Sequence, residues 1–163
     1  MRRSKPPTKN LRLIGVISDT HGMLRPEATS ALKGCDLILH AGDIGGPDIL
    51  ESLQNLAPVI AVKGNNDRAQ WADNLPLTSR LTVKPYTFLL THDVSTIDIG
   101  SVTPPVHMII SGHSHKPAIT QRNGIVFLNP GSAGPRRFTL PIALARISIG
   151  DSQFLPELIH LDI

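Results

Sequence analysis

The chain has 163 residues, about the length of one ordinary domain, and its apolar share of 40% is enough for a single packed core, which argues against disorder. Aromatic residues make up only 4% of the chain, so a base-stacking surface of the kind used by single-strand binders is excluded. The net charge of +3 comes from the amino terminus, because residues 1–10 hold four of the 16 basic residues and leave 12 against 13 acidic ones. We interpret residues 1–10 as a flexible basic tail. We expect no nucleic-acid binding, since that requires a charged patch on the fold.

The single cysteine and the distribution of apolar residues indicate where in the cell the protein is located. Cys35 cannot form an internal disulfide, and it lies beside an apolar run typical of a buried structural thiol. The apolar segment that follows the tail is interrupted by Arg12 and ends at Asp19, unlike a secretory signal. No apolar run approaches the ~20 residues of a membrane helix. We therefore expect a cytoplasmic protein without a membrane contact.

The first half of the chain alternates between strand and helix patterns. Each of the two helix patterns opens with a proline, which is favoured in the first helical turn. The strand patterns are runs of branched apolar residues. Strands that alternate with helices predict βαβ units and a parallel sheet. The predicted strands cover residues 11–18, 36–40 and 58–62, and the predicted helices cover residues 26–33 and 47–56.

The second half consists mostly of strand patterns. The pair Asn123-Gly124 between two of them is a strong hairpin signal. The seven predicted strands cover residues 80–84, 86–91, 107–111, 118–121, 125–128, 142–149 and 154–161. Strands this numerous, with helices mostly early in the chain, predict an α/β protein built as a two-sheet β-sandwich flanked by helices. We expect one domain over residues 11–163.

Polar side chains follow five of the apolar strands at the points where those strands end. Because ligands bind beyond the carboxyl ends of strands in open α/β sheets, these segments should converge on one site. Two Asp, one Asn and four His form the composition of a metal site, which a packed core would not need. The seven candidate ligands are Asp19, His21, Asp43, Asn65, His92, His113 and His115.

This set of residues suits two-metal chemistry. Two divalent ions roughly 3.5–4 Å apart can hold both oxygens of an in-line phosphoryl displacement, and a bridging carboxylate offsets the repulsion between them. The spacings Asp-x-His and His-x-His place both side chains of a pair on one side of an extended segment. Glycines at 42, 64 and 112 would allow sharp turns and close backbone approach. The Asp-x-His, Gly-Asp and Gly-Asn motifs are each weak alone, whereas His113-Ser114-His115 is a stronger signal because two alternating histidines after a buried strand have little structural use. Taken together, the set argues against a purely structural role.

These motifs, in this order, resemble the calcineurin-like metallophosphoesterase superfamily. The short length and the run Asn129-Pro130-Gly131-Ser132 are similar to its small bacterial and archaeal phosphodiesterases, a group whose fold is shared by the small subunit of the retromer coat. The resemblance covers nearly all of the chain from Leu11 onward. It implies a two-sheet sandwich with helices on its outer faces.

The resemblance also implies roles for individual residues. One metal would be held by Asp19, His21 and His115, and the other by Asn65, His92 and His113, with Asp43 as the bridge. A hydroxide between the ions would attack phosphorus. The likeliest ion is Mn²⁺ by family analogy, and the mixed nitrogen and oxygen ligands also permit Fe, Zn or Ni. The expected catalytic residues are Asp43, Asn65 and His92, and the expected substrate-binding residues are Asn65, Asn66 and Arg136.

Two positions depart from the family pattern. Many members carry a His at position 66 that protonates the leaving group. Asn66 cannot do this, so Asp67 is left to brace its loop, and we expect a preference for substrates with good leaving groups. The group usually has Gly at position 93. The carboxylate of Asp93 could repel substrate, act as a substitute acid or point to solvent, and the sequence favours solvent. Arg136 and Arg137 have the forked donors to clamp a phosphate, although arginines near a turn are more often surface residues.

The leading interpretation is therefore a phosphodiesterase acting on small-molecule or nucleotide phosphodiesters. A non-catalytic scaffold like the retromer subunit is the alternative from another class, and retention of all seven ligands argues against it. Phosphomonoesterase activity is not separable at this stage, and a homo-oligomer is possible.

Overall fold

A computed structural model describes residues 10–102 and 105–163. Apart from Asn10, the predicted tail lies outside the described residues. Ten strands and two α-helices, α1 (Pro26–Leu32) and α2 (Pro47–Gln54), make up the regular structure. The strands are β1 (Leu13–Ile17), β2 (Leu37–His40), β3 (Val59–Ala61), β4 (Thr78–Val83), β5 (Tyr86–Thr91), β6 (Met108–Ile110), β7 (Ala118–Arg122), β8 (Ile125–Asn129), β9 (Ala143–Ile149) and β10 (Phe154–His160). All ten predicted strands are present, and their ends differ from the predictions by no more than two residues.

The strands form two five-stranded sheets. The first has the order β10-β9-β1-β2-β3, in which β1, β2 and β3 are parallel and β9 is antiparallel to both of its neighbours. The second has the order β4-β5-β6-β8-β7, in which β5, β6 and β8 are parallel. Both sheets are therefore mixed. The parallel strands lie in the middle of the second sheet, whereas in the first sheet they run to the edge formed by β3. The predicted α/β sandwich is confirmed.

The main core lies between the sheets. Alternate residues of each strand face inward, as the two-residue period of a strand requires. Val16 and Leu39 from the first sheet pack in one cluster with Phe88 and Met108 from the second. Each of these side chains is at most 1% exposed, and full burial of one such side chain contributes about 1.5–3 kcal/mol.

The two α-helices cover the outer face of the first sheet. Helix α2 buries Ile49, Leu50 and Leu53, which lie on one side of the helix, against a cluster that includes Ile17 and Ile38. Both helices begin with proline, as predicted. Each connects two parallel strands, so each returns the chain to the amino end of the next strand.

The sequence predicts helices on the outer faces of both sheets, but the outer face of the second sheet is not covered by an α-helix of the described chain. Within the described part of the chain, short 3-10 turns over Val94–Thr96 and Ile99–Ser101 pack there against Leu89 and Ile109. The pair Asn123-Gly124 forms the predicted hairpin turn between β7 and β8, with φ of 50° and 79°. None of the described helices has the length and hydropathy needed to cross a membrane.

Candidate metal centre

The carboxyl ends of the parallel strands of both sheets meet at one edge of the sandwich. The loops that follow β1, β2 and β3 in the first sheet and β5 and β6 in the second supply the polar residues. All seven candidate ligands lie in these loops: Asp19 and His21, Asp43, Asn65, His92, and His113 and His115. The structure brings them together in two adjacent groups.

The first group consists of Asp19, His21 and His115, whose ligand atoms all lie within 4.8 Å of one another. Asp19 is fully buried. Its Oδ2 accepts hydrogen bonds from Ser18 Oγ at 2.6 Å and from the backbone N of His113 at 3.1 Å. Its Oδ1 is left free, 3.3 Å from His115 Nε2 and 3.8 Å from His21 Nε2.

The second group is built around His92. Its Nδ1 lies 2.7 Å from the carbonyl oxygen of Ala41, which can only accept, so this nitrogen carries a proton. The opposite nitrogen, Nε2, therefore faces the cluster, 3.4 Å from Asp43 Oδ2 and 3.0 Å from Asn65 Oδ1. His113 Nδ1 completes the group, 3.2 Å from Asn65 Oδ1 and 3.3 Å from His92 Nε2.

Asp43 lies between the two groups. Its Oδ2 is 3.7 Å from His21 Nε2 on one side and 3.4 Å from His92 Nε2 on the other. It is 2% exposed, so its charge is balanced by this cluster more than by solvent.

The donor set fits divalent cations. Within the described part of the chain, Asp19 Oδ1, His21 Nε2 and His115 Nδ1 are buried without a hydrogen-bond partner, and for the carboxylate this is a costly state that a bound cation relieves. In the second group, Asn65 Oδ1, His92 Nε2 and His113 Nδ1 lie within 3.3 Å of one another. Each of these atoms has a lone pair, and lone pairs repel one another unless a proton or a cation lies between them. Mixed carboxylate, amide and imidazole ligands suit Mn, Fe and Zn.

Backbone strain is concentrated at this site. Eight non-glycine residues of the described chain have positive φ, and five of them are among the seven predicted ligands: Asp19, His21, Asp43, His113 and His115, with φ from 46° to 72°. For residues with a Cβ this conformation costs on the order of 1 kcal/mol each, and it persists where the surrounding structure enforces it. The left-handed turns direct these side chains back toward the cluster.

The loop after β3 is fixed to the loop after β2 by two side chains. Asn66 donates from its backbone N to Asp43 Oδ1 and from Nδ2 to Asp43 Oδ2, at 2.9 and 2.8 Å. Asp67 is buried, and its carboxylate accepts from the backbone N of Ile44, Gly45 and Gly64. Asp67 therefore braces the loops, as its sequence context predicts.

His40 is a buried structural histidine. Thr20 Oγ1 donates to the carbonyl of Ile44, so it must accept from His40 Nε2, which lies 3.0 Å away. The backbone N of Gly42 donates to His40 Nδ1. Burial, with the neighbouring His92 as a smaller cause, lowers the pKa of His40 to about 3, so the ring is neutral. It ties the loop after β1 to the loop after β2.

The charges of the cluster shift the pKa values of Asp43 and His92 in opposite directions. Burial acts to raise the pKa of Asp43, but hydrogen bonds with His92 and Asn66 outweigh it and hold that pKa well below its usual range. Burial acts to lower the pKa of His92, and the carboxylates of Asp43 and Asp19 reverse this and raise it. A cation that binds at His92 Nε2 would therefore compete with a proton for that nitrogen.

The two remaining predicted positions differ from expectation. Arg136 Nη1 donates to the carbonyl of Leu140 in its own loop at 3.4 Å, and it has no contact with the seven ligands among the described residues. Burial lowers the pKa of His115, and the positive charge of Arg137 contributes to the same shift. Asp93 accepts from Ser95 N and Oγ and lies 3.8 Å from His113 Nε2, so it is more than a solvated side chain.

No role in the centre was predicted for three polar residues that position it, although two of them lie in the run Asn129-Pro130-Gly131-Ser132. Ser18 holds Asp19 Oδ2, and Ser132 Oγ donates to the backbone carbonyl of Asp19 at 3.0 Å. Asn129 Nδ2 donates to the carbonyl of Gly112, just before His113. The run from Asn129 to Ser132 follows β8 at the same edge of the sandwich, and that position was the signal for the second and third of these.

Comparison with known proteins agrees with this geometry. The model of the calcineurin-like phosphoesterase superfamily domain matches residues 13–152, so the chain belongs to that superfamily. A probable metallophosphoesterase of Methanothermobacter thermautotrophicus is 39% identical over 141 residues, which cover 79% of this chain and 81% of that protein. The resemblance seen in the motifs is confirmed.

Solved structures share the fold. An archaeal phosphodiesterase superposes with a TM-score of 0.72 at 20% identity, covering 90% of this chain and 99% of that one. The zinc complex of Vps29 from Entamoeba histolytica superposes with a TM-score of 0.70 at 24% identity, covering 92% of this chain and 99% of that one. At these identities the likeness concerns the fold alone.

Proposed function

We propose that this protein is a metal-dependent phosphodiesterase that hydrolyses small-molecule or nucleotide phosphodiesters at a dinuclear centre. The observation that carries the proposal is the convergence of seven side chains from five loops into two adjoining groups with Asp43 between them. Among the residues that the structure describes, three of their buried atoms, Asp19 Oδ1, His21 Nε2 and His115 Nδ1, lack a hydrogen-bond partner. A superfamily named for phosphoester hydrolysis supplies the reaction class.

In this proposal the two groups hold one ion each. Asp19, His21 and His115 bind the first, and Asn65, His92 and His113 bind the second. Asp43 is shared, and Mn²⁺ is the proposed ion. When bound, the ions stabilise the charge that develops on the phosphate oxygens and acidify the attacking water.

The protein's own contribution is preorganisation of the ligands. Ser18 fixes one oxygen of Asp19, and the carbonyl of Ala41 fixes the tautomer of His92. Asn66 holds both oxygens of Asp43. Ligands fixed in this way bind with little ordering cost, and they keep the substrate phosphate in line with the attacking water. For contact with that phosphate we propose Asn65 and Asn66, and a phosphate contact of Arg136 stays a prediction.

Leaving-group protonation is the step for which this chain lacks the usual group. The amide of Asn66 has no proton to transfer, and its Nδ2 already donates to Asp43. The departing oxygen must therefore leave as an anion or take a proton from water. This favours phenolic over alkoxide leaving groups.

The experiment compares three substrates with metal-stripped protein to which Mn²⁺ is returned. Bis(p-nitrophenyl) phosphate should be cleaved faster than p-nitrophenyl phosphate, and methyl p-nitrophenyl phosphate should release p-nitrophenol but no methanol. Faster cleavage of the monoester would replace the proposal with a phosphomonoesterase. Equal release of methanol and p-nitrophenol would overturn the leaving-group argument.

The scaffold alternative is tested in the same experiment. Absence of turnover with Mn²⁺, Fe²⁺, Zn²⁺ and Ni²⁺, despite stoichiometric metal binding, would favour it. The complete ligand set argues for the enzyme, because a scaffold has no need to keep seven polar ligands, six of which are strained or buried. The cytoplasmic location and the oligomeric state stay predictions.

A further inference from the structure

A groove opens beside the second ligand group. It has a volume of about 540 Å³, and one end is formed by Asn65, His92 and His113. This volume lies within the roughly 300–1,000 Å³ of small-molecule sites. A phosphodiester bound at the metal centre would have one of its two substituents next to this end. We call the space the side groove.

Two cations and two carboxylates line the side groove, so its formal charge is balanced. Lys63 and Arg68 line it, and within residues 10–102 and 105–163 neither lies within ion-pair distance of a carboxylate. The two acidic residues of its lining are already occupied. Asp67 accepts from three backbone amides, and Asp93 accepts from Ser95 and faces His113. The two cations are therefore available to an anionic ligand.

Arg68 is held in position by the metal centre itself. Its Nε donates to the backbone carbonyl of Asn65 at 3.0 Å. In the described part of the chain its two terminal amino groups have no hydrogen-bond partner. A guanidinium fixed in this way loses little side-chain entropy when it binds a phosphate.

The remaining walls of the side groove are apolar or carry hydroxyl groups. Leu77 is 72% exposed there, and Ile97 lies in the same lining, as do the hydroxyl side chains of Thr78 and Thr96. An exposed leucine next to two cations suits a ligand that has both a ring and a charge. Sugar or base rings would contact Leu77 and Ile97, and a phosphate would contact Lys63 and Arg68.

We propose that the side groove binds one substituent of the substrate, and that this substituent is a nucleotide bearing a second phosphate. The inference rests on the proposed function, because it places the scissile phosphate at the metal centre. It assigns Lys63 and Arg68 as residues that determine specificity.

A matched pair of substrates tests this. Thymidine 5′-(p-nitrophenyl phosphate) and its 3′-phosphorylated form differ by one phosphate and release the same chromophore. The second should have a kcat/KM about tenfold higher, the effect of two partly exposed charge contacts. Lys63→Gln and Arg68→Gln should each reduce that ratio, Lys63→Arg should retain it, and 0.5 M NaCl should shrink it.

Lys33→Gln is the control. Lys33 is exposed, follows α1 and precedes the amino end of β2, at the opposite end of that strand from the metal centre. The Lys33→Gln variant should keep the wild-type ratio of kcat/KM between the two substrates. A ratio near one in the wild type, or a ratio unchanged by both Lys63→Gln and Arg68→Gln, would overturn the inference and leave the phosphodiesterase proposal standing.

Calorimetry separates failure of the groove from failure of the function. Thymidine 3′,5′-bisphosphate should bind more tightly than thymidine 5′-monophosphate, and Lys63→Gln should reduce the difference. If that holds while neither substrate is hydrolysed, the groove is supported and the proposed function is wrong. Equal binding of the two nucleotides would overturn the groove whether or not turnover is seen.

Discussion

Asn66 donates hydrogen bonds to both carboxylate oxygens of Asp43, from its backbone N at 2.9 Å and from its Nδ2 at 2.8 Å. Many members of the superfamily carry a proton-donating histidine at this position. Here the side chain is committed to the carboxylate that lies between the two ligand groups. The replacement therefore exchanges a group that could act on the leaving group for one that orients Asp43.

Replacing Asn66 by Ala tests this role. The side-chain hydrogen bond to Asp43 is lost while the backbone bond remains, and we expect Mn²⁺ affinity to fall by about tenfold. Titration calorimetry of the metal-stripped protein measures it. Asn55→Ala, at an exposed position after α2, is the control and should bind as the wild type does. Wild-type affinity in Asn66→Ala would contradict an orienting role.

Gly64 is required by close packing. A Cβ at this position would overlap the backbone N and Oδ1 of Asp43. We expect Gly64→Ala to displace Asp43, to lower metal affinity and to destabilise the fold by about 1–3 kcal/mol. Thermal unfolding with and without Mn²⁺ measures both effects. At Gly100 a Cβ would have only an ordinary contact, 3.5 Å from Asp98, so Gly100→Ala should change neither quantity.

Asp93 is expected to orient His113. The Nε2 of that ring lies 3.8 Å from Asp93 Oδ2, its Nδ1 faces the cluster, and the side chain is 47% exposed, so few other contacts restrain it. We predict that Asp93→Gly weakens binding of the second metal ion severalfold or more. Asp93→Asn should restore part of the loss.

Asp98→Asn is the matched control for charge and for capping. Asp98 precedes the next 3-10 turn and bonds Ser101, with no contact to a predicted ligand in the described chain. Two-step metal binding measured by calorimetry should be normal in this variant. If Asp93→Gly also binds both ions normally, Asp93 is only a solvated loop residue.

His40 should make the metal-free protein sensitive to acid. Its pKa is about 3 in the folded chain and about 6.5 when unfolded, so between these values the unfolded state holds one more proton. Stability then rises with pH by about 1.4 kcal/mol per unit and levels off above the unfolded value. Urea unfolding from pH 4 to pH 8 measures this. His40→Gln should reduce the slope of the unfolding free energy against pH by the contribution of one proton. An unchanged slope would show that His40 is not the group responsible.

The sequence was sufficient to predict the position of the ligands because they depend on strand ends. Asp19, His92 and His113 each follow an apolar strand within two or three residues, and parallel strands bring their carboxyl ends to one edge. Strand identity is set by local apolar pattern, so convergence at that edge needed no knowledge of side-chain conformation.

The contacts within loops could not be predicted in this way. Arg136 and Arg137 are adjacent, and the direction of each depends on the backbone of a loop in which Phe138 has a φ of 50°. The pairing of Asn66 with Asp43 joins two loops whose relative position is known only once the sheet is formed. The sequence also did not predict that 3-10 turns cover the second sheet, because turns of three residues are too short to show a helical periodicity.

The measurement that tests the account most directly is the initial rate of bis(p-nitrophenyl) phosphate hydrolysis as Mn²⁺ is titrated into metal-stripped protein, beside Asp43→Asn. The account predicts no turnover without metal, a rate that saturates near two equivalents per chain, and a loss in Asp43→Asn of about 100-fold or more. Turnover that persists without metal, or an Asp43→Asn variant as active as the wild type, would contradict it.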